Sequence, residues 1–353
     1  MELYLVGGAV RDEIMGRAGA DRDWVVLGAG EGEFLARFPG ARQVGRKGIT
    51  WIWRGEEYTL SDAADIAADL AVRDLTVNAL ARGGDGRLFA HPRALADIRD
   101  RMLRPVAAAN FLADPLRVLR AARFAACFPD FAAAPELIAA MRLARPHLAE
   151  PAAERAGMEL RKACACPAPG RFMALLAEAG CLAPWFAELA SPETAAEAGA
   201  RAQATAEFLA ESQAESQAGA PVGESGAQAV FMALCSVLDA AGAEALVERL
   251  RLPVPWRRAA LAATQELAQL LAYQDLSPGD KAAALHRLHV LKLTDQALAA
   301  AAALCPGFPA ERARADLKTV LSVRLPPTMR DRGEASGELL ARLRAEALAA
   351  RQG

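Results

Sequence analysis

The chain has 353 residues, 53% hydrophobic and 24% charged, with only 6% aromatic residues. That composition disfavours long disorder and favours alanine-rich helices around sizeable cores, enough for two or three modules. With 41 Lys and Arg against 43 Asp and Glu, a net charge of −2 rules out a globally basic nucleic-acid coat protein, while leaving room for local basic faces.

Residues 1–105 mix short β-rich runs with Gly-containing turns. Tyr4-Leu-Val, Asp23-Trp-Val-Val-Leu, Ile49-Thr-Trp-Ile-Trp and Glu57-Tyr-Thr-Leu carry the β-branched and aromatic residues of strands. From Asp114 the apolar residues recur at three- and four-residue spacing, as in Leu116, Leu119, Ala122 and Phe124, and that helical period continues almost to the end. Pro129, Pro135, Pro146, Pro151, Pro167 and Pro169 predict many short helices rather than a coiled coil. A Ser/Gln/Gly-rich segment from Glu211 to Gly226 predicts a flexible loop, Pro326 and Pro327 break the next helical block, and Gly337 to Arg351 reads as one amphipathic helix. The expected fold class is α+β: a small palm-like head with a mixed sheet over 1–105, a helical neck and binding domain over 106–210, a flexible loop over 211–227, and a helical body and tail over 228–353. No apolar run reaches the strong hydrophobicity of a membrane span and no charged leader precedes an apolar stretch, so a cytoplasmic protein is expected.

The six cysteines, Cys127, Cys164, Cys166, Cys181, Cys235 and Cys305, show no Cys-x-x-Cys and no His pair at zinc spacing, which predicts free buried thiols. Cys164 and Cys166 could form a redox pair, but side chains two apart on a helix do not face each other.

Three segments carry chemistry. Leu5-Val-Gly-Gly-Ala-Val-Arg-Asp predicts a strand running through two glycines into a short helix, where backbone N–H groups near Gly8 approach a phosphate and Arg11 adds a charge-assisted contact. A Gly-Gly turn alone is more often only a turn. Asp21-Arg-Asp23 places two carboxylates at i and i+2 of a strand, on one face, where they could hold one or two Mg²⁺ ions for in-line nucleotidyl transfer. The bland alternative is a solvated acidic strand end. Val72-Arg-Asp and Asp114-Pro-Leu-Arg supply further cations; Asp114, Arg117, Arg120 and Arg123 follow one another at three-residue spacing and form a winding stripe, opposite Leu116, Leu119 and Phe124. Taken singly, such a stripe is commonly a solvated face.

The ordered set Tyr4-Leu-Val-Gly-Gly-Ala-Val-Arg-Asp, Gly16, Asp21-Arg-Asp-Trp-Val-Val, Gln43-Val-Gly-Arg, Arg73-Asp-Leu-Thr-Val-Asn-Ala-Leu-Ala, Asp97-Ile with Leu103-Arg, and Asp114-Pro-Leu-Arg-Val-Leu-Arg-Ala-Ala-Arg-Phe resembles the class II tRNA nucleotidyltransferases. These are the CCA-adding enzymes of the DNA polymerase beta superfamily, and the likeness is to their proteobacterial branch over about the first 190 residues. The resemblance implies CTP and ATP as substrates, the tRNA 3′ end as acceptor, Mg²⁺ as cofactor, and neck, body and tail helices that hold the acceptor arm. It implies Asp21 and Asp23 as metal ligands, Gly8, Arg11, Arg73, Arg120 and Arg123 as contacts to the triphosphate, and Asp114 with Arg117 as readers of the base edge. An Arg that donates beside an Asp that accepts can match cytosine or adenine without a template.

Three departures shape the expectation. Val72 stands where the family has an arginine, and Ala113 where it has a glutamate. Between Leu60 and Arg73, where the family carries a longer flexible basic loop associated with the switch from C to A, only a short acidic, helix-prone segment remains, which predicts an enzyme that adds C efficiently and A slowly or not at all. The C-terminal half lacks the His-Asp doublet of an HD phosphohydrolase: Met232-Ala-Leu-Cys-Ser-Val-Leu-Asp stands in its place, and His286 and His289 are expected to pack rather than bind metal. The alternatives are a CC-only enzyme, a poly(A) polymerase, disfavoured by the mixed charge of the tail, and a catalytically degenerate RNA-binding relative, disfavoured by retention of Asp21 and Asp23.

Overall fold

The computed structural model describes residues 1–17, 22–44, 49–214, 223–330 and 333–351, so Asp21, Gly45 and Arg46 lie outside the described residues. Two compact units result. The first comprises Met1–Ala121, Asp130–Glu150 and Ala179–Cys181; the second comprises Ala122–Pro129, Pro151–Glu178 and Leu182–Gly353.

The first unit is built on β1 (Glu2–Val6), α1 (Gly8–Ile14), β2 (Asp23–Leu27), α2 (Glu31–Arg37), β3 (Arg42–Val44), β4 (Thr50–Trp53), β5 (Glu56–Ser61), α3 (Ile66–Ala71), β6 (Leu80–Gly83) and β7 (Leu88–Ala90). Its seven strands lie in the order β3-β4-β5-β2-β1-β6-β7. β1 runs antiparallel to β2 and β6, whereas β2 and β5 are parallel, joined by a crossover through α2 and the β3–β4 hairpin. Alternation along β2 sends Val25 and Leu27 to one face, against Ile66 and Leu70 of α3, and Val26 to the other, against Phe34 and Phe38 around α2. Trp24 stacks on Tyr58 of β5 with centroids 6.0 Å apart, and both rings donate hydrogen bonds to Glu56, which fixes the parallel register. Burial, reinforced by Glu56, pushes the Tyr58 hydroxyl up to about 12.

After the sheet come α4 (Ala94–Arg99), β8 (Met102–Leu103), α5 (Ala108–Ala113), α6 (Leu116–Cys127), β9 (Ala132–Ala133) and α7 (Pro135–Ala144). The head was expected to end at 105 and the neck to be wholly helical. Instead β9 pairs in parallel with β8, and α7 packs on α5, so residues 106–121 and 130–150 belong with the sheet. A two-residue strand carries too little pattern to be seen in sequence.

The second unit continues with α8 (Ala153–Cys164), α9 (Gly170–Ala179), α10 (Pro192–Ala214), α11 (Glu224–Cys235), α12 (Ala240–Arg249), α13 (Val254–Ala262), α14 (Ala268–Leu271), α15 (Pro278–Leu291), α16 (Thr294–Leu304), α17 (Ala310–Ser322) and α18 (Glu334–Ala349). Glycines let the chain approach closely at two points: a Cβ on Gly157 of α8 would come within 2.5 Å of the Leu250 carbonyl, and one on Gly170 within 2.7 Å of the Gly199 carbonyl. Of the segment expected as a loop over 211–227, the first residues belong to α10, which runs through Ala214, and the last to α11, which begins at Glu224; residues 215–222 lie outside the described residues. Ala, Glu and Gln are good helix formers, so polar composition alone misplaced the boundary. The C-terminal helix begins at Glu334, three residues earlier than expected.

The thiols need one correction. Cys127, at the end of α6, and Cys166, after α8, are joined as a disulfide, whereas Cys164, Cys181, Cys235 and Cys305 are free. The partners lie 39 residues apart, a pairing that linear spacing does not reveal. No described helix is long and apolar enough to cross a membrane.

Candidate active site

Glycine at position 7 is required by geometry. Its φ is +68°, in the left-handed region, and a Cβ there would approach a terminal nitrogen of Arg73 to 3.2 Å. The Gly7 N–H donates to the Leu80 carbonyl at 2.9 Å, so β1 turns into α1 at the point where β6 begins. Val6 is the register partner of Asp23, which opens β2, so the Gly7-Gly8 turn and Asp23 lie at one end of the sheet. In the parallel pairing Asp23 stands opposite Glu57. Register partners on adjacent strands present side chains to the same face, and both carboxylates are exposed. Hard oxygen donors so placed suit a divalent cation. Among the described residues no three His, Cys, Asp or Glu converge as a metal cage; Asp21, two residues before Asp23, is outside the described set.

The arginines are held by a lattice around Asp74. This carboxylate is 5% exposed; it accepts from Arg120 Nε at 2.8 Å, from the Leu75 N–H at 2.8 Å and from Asn78 Nδ2 at 3.1 Å. Burial by itself would raise the Asp74 pKa, but the Arg120 guanidinium, Asn78 and Leu75 outweigh it and hold the carboxyl below its ordinary value. Asn78 in turn accepts from Arg11 Nη1 at 2.5 Å, and Arg11, 6% exposed, also donates to Asp12. One hydrogen-bonded chain therefore joins α1, the short turn over Thr76–Asn78 and α6.

Arg73 is fixed from the other side. Its Nη2 and Nε donate to Asp69 Oδ2 at 2.8 and 3.1 Å, and Ser61 donates to Oδ1 of the same carboxylate. Asp69 belongs to α3, whose N-terminus is capped by Asp65 accepting from the Ala68 N–H. The short acidic segment between Leu60 and Arg73 is thus a strand end and a capped helix with Ile66 and Leu70 buried, and its carboxylate positions an arginine.

On α6 the residues opposite the arginines, Leu116, Leu119 and Phe124, are buried. Asp114 caps the helix, accepting from the Leu116 N–H at 3.2 Å, and Arg117 Nη1 donates to the Asn110 carbonyl at 3.1 Å. Asn110 itself donates to the Arg73 carbonyl. Burial lowers the Arg117 pKa, with Arg120 and Arg73 pushing the same way and Asp74 and Asp114 opposing; a guanidinium so shifted stays charged. Arg123 lies in the second unit, where it donates to buried Glu159 at 2.6 Å and covers the Phe124 ring. The structure links Arg11 with Arg120 through Asn78 and Asp74, and Arg73 with Arg117 through Asn110, and gives Arg123 a different partner.

Sequence reasoning missed Asp69, Asp74, Asn78, Glu57 and Glu159. Asp74 and Asn78 stood inside a recognised motif at i, i+4 spacing; Glu57 becomes visible only once β2 and β5 are paired. Elsewhere, Asp239, at the place of the absent His-Asp doublet, caps α12 by accepting from the Gly242 N–H at 2.7 Å. Of the two histidines expected to pack, His286 is half-buried but His289 is exposed, because the face of α15 turns outward at that position.

Residues 130–195 match the family described as a probable RNA and SrmB-binding site of polymerase A. The chain is 40% identical over 205 residues to the multifunctional CCA protein of Dechloromonas aromatica, covering 52% of this chain and 49% of that one. It is 38% identical over 228 residues to the CCA-adding enzyme of Bordetella pertussis, covering 56% and 59%. The aligned region spans about half the length of these relatives. In fold the chain is similar to the Thermotoga maritima CCA-adding enzyme complexed with tRNA, with a TM-score of 0.67 at 19% identity over 98% of this chain and 87% of that one. It is also similar to a tRNA-processing enzyme in an apo form, with a TM-score of 0.68 at 21% identity over 98% and 93%.

Proposed function

We propose that this chain, which is similar to CCA-adding enzymes in sequence over about its first half and in fold, is a class II CCA-adding enzyme that transfers nucleotides from CTP, and slowly from ATP, to the tRNA 3′ end. The observation that carries the reading is the arginine lattice around Asp74 and Asp69, anchored beside the Gly7-Gly8 turn and Asp23. Isolated motifs do not require that convergence; nucleotidyl transfer does.

In this reading the 3′-hydroxyl attacks the α-phosphate and pyrophosphate leaves. Asp23, with Asp21 and with Glu57 across the register, holds Mg²⁺, which when bound lowers the pKa of the attacking hydroxyl and neutralises the leaving group. Arg11, Arg73 and Arg120, with the backbone near Gly8, bind the triphosphate oxygens. Their carboxylate and amide partners fix each guanidinium before substrate arrives, so little reorganisation is needed as charge develops. Asp114 and Arg117 read the base edge. Arg123, paired with Glu159, contributes through the placement of α6 and reaches the triphosphate only if that pair opens.

Slow or absent addition of the terminal A is part of this reading. The segment that follows β5 is committed to α3, with Ile66 and Leu70 in the core, Asp65 at the cap and Asp69 on Arg73. A segment so anchored supplies no alternative arrangement to bias the base-reading pair toward ATP. The reading includes no phosphohydrolase activity and places the protein in the cytoplasm. Its test is incorporation of labelled CTP into tRNA lacking the CCA end by Asp23→Asn and Glu57→Gln. Asp23→Asn should abolish incorporation and Glu57→Gln should lower it, with unfolding midpoints near wild type, because both side chains are exposed. Normal incorporation by Asp23→Asn would remove the metal assignment.

A further inference from the structure

A cation-lined cavity lies in the C-terminal half, where none of the chemistry above is assigned. It measures about 460 Å³ and is lined by Tyr273, Gln274, Lys281, Pro309 and Arg312. Lys281, in the first turn of α15, is only 5% exposed, yet no carboxylate among the described residues lies within ion-pair distance. Its ammonium has one long hydrogen bond, 3.4 Å to the Gln274 carbonyl, and lies 5.2 Å from the centre of the Tyr273 ring. A buried ammonium so thinly compensated is costly unless an anion completes its shell.

The surroundings point the same way. α17 begins at Ala310 beside Pro309 with no side-chain cap; the Ala310 N–H donates to the Phe308 carbonyl, and the next N–H groups, with the positive end of the helix dipole, lie beside Pro309 and Arg312 of the cavity wall. Arg312, exposed in that first turn, brings a second cation to the mouth. The nearby acids are engaged elsewhere: Asp316 accepts from the Tyr273 hydroxyl at 2.8 Å and lies 3.9 Å from Arg351, Glu311 pairs with Arg314, and Asp280 accepts from Ser277. The opposed α15 N-terminus is already capped by Ser277.

We infer that this cavity is a site for a phosphate group, seated between Lys281, Arg312 and the N-terminus of α17. Because Lys281 lies within the fold, the anion must leave the surface to reach it. A free phosphate or a terminal phosphomonoester can do so; a phosphodiester flanked by two riboses is held back by its sugars. The ligand class is therefore a small phosphate-bearing molecule rather than the RNA backbone.

The test is binding of inorganic phosphate and of glycerol 3-phosphate to the full chain, read by ³¹P line broadening and by the rise in melting temperature with ligand. Lys281→Met and Arg312→Ala should each weaken binding at least tenfold, while Arg73→Ala, in the candidate active site, leaves it unchanged. CTP incorporation should be unchanged in Lys281→Met and Arg312→Ala. Lys281→Met removes a buried charge and should melt no lower than wild type without phosphate; should it melt lower, Arg312→Ala at an exposed position decides. Wild-type phosphate binding by both variants, or loss confined to Arg73→Ala, overturns the assignment. So does a tenfold loss of tRNA affinity in Lys281→Met with phosphate binding intact, which would make the cavity a seat for the RNA backbone.

Discussion

Replacing Asp74 by asparagine probes the lattice that holds the arginines. The carboxylate takes two guanidinium donors of Arg120, at 2.8 and 2.7 Å, together with Leu75 N–H and Asn78 Nδ2, in a position 5% exposed. Breaking a buried ion pair costs about 3–5 kcal/mol. Arg120 keeps 36% of its side chain exposed, so water recovers part of that cost. Asn retains an acceptor oxygen for one of the remaining donors, leaving a net loss of about 1–2 kcal/mol. Asp74→Ala also strands the Leu75 N–H and should lose about 3 kcal/mol, a large share of the roughly 5–15 kcal/mol of a typical domain. The folded-state pKa of Asp74 is depressed, so its contribution is fully present above the unfolded value and is lost as pH falls through the folded one. The gap between wild type and Asp74→Asn in urea unfolding should therefore be constant near neutrality and shrink below about pH 4. A misplaced Arg120 should also lower kcat/KM for CTP by between about 10- and 100-fold. Equal urea midpoints at pH 7 for wild type and both variants would refute the reasoning.

Arg117→Ala should reduce discrimination among the four triphosphates more than affinity for them, since a good bidentate base contact carries about 1–3 kcal/mol of selectivity; equal losses for all four nucleotides would make Arg117 a phosphate or structural residue. Gly157→Ala should destabilise, although alanine normally gains about 1 kcal/mol over glycine in a helix, because its Cβ would lie 2.5 Å from the Leu250 carbonyl. A raised urea midpoint in that variant would show that α8 can move away from Leu250.

The strand, Gly-Gly turn and helix around Gly7, and the arginine stripe of α6, were legible because local spacing alone determines which side chains share a face. The α+β division was legible for the same reason, from the change of apolar period near Asp114. What escaped depends on residues brought together from distant segments. Glu57 meets Asp23 only through a parallel pairing, Cys127 meets Cys166 across 39 residues, and β9 joins β8 through a two-residue match. The acidic segment after Leu60 has a charge that repels a triphosphate, yet its Asp69 orients Arg73. An acid in the proposed triphosphate site is thus intelligible when it acts through an arginine. Arg123 shows the converse: the resemblance groups it with Arg120 as a triphosphate contact, and the partner Glu159, invisible in linear sequence, distinguishes it.

The most direct test of the central claim is sequencing of tRNA 3′ ends after wild-type protein is incubated with tRNA lacking CCA, Mg²⁺, and CTP alone, ATP alone or both. The claim predicts rapid growth to CC ends whenever CTP is present and slow or absent addition of the terminal A. Complete CCA ends formed as fast as CC would contradict the product length inferred from α3, and unextended tRNA in every reaction would contradict nucleotidyl transfer itself.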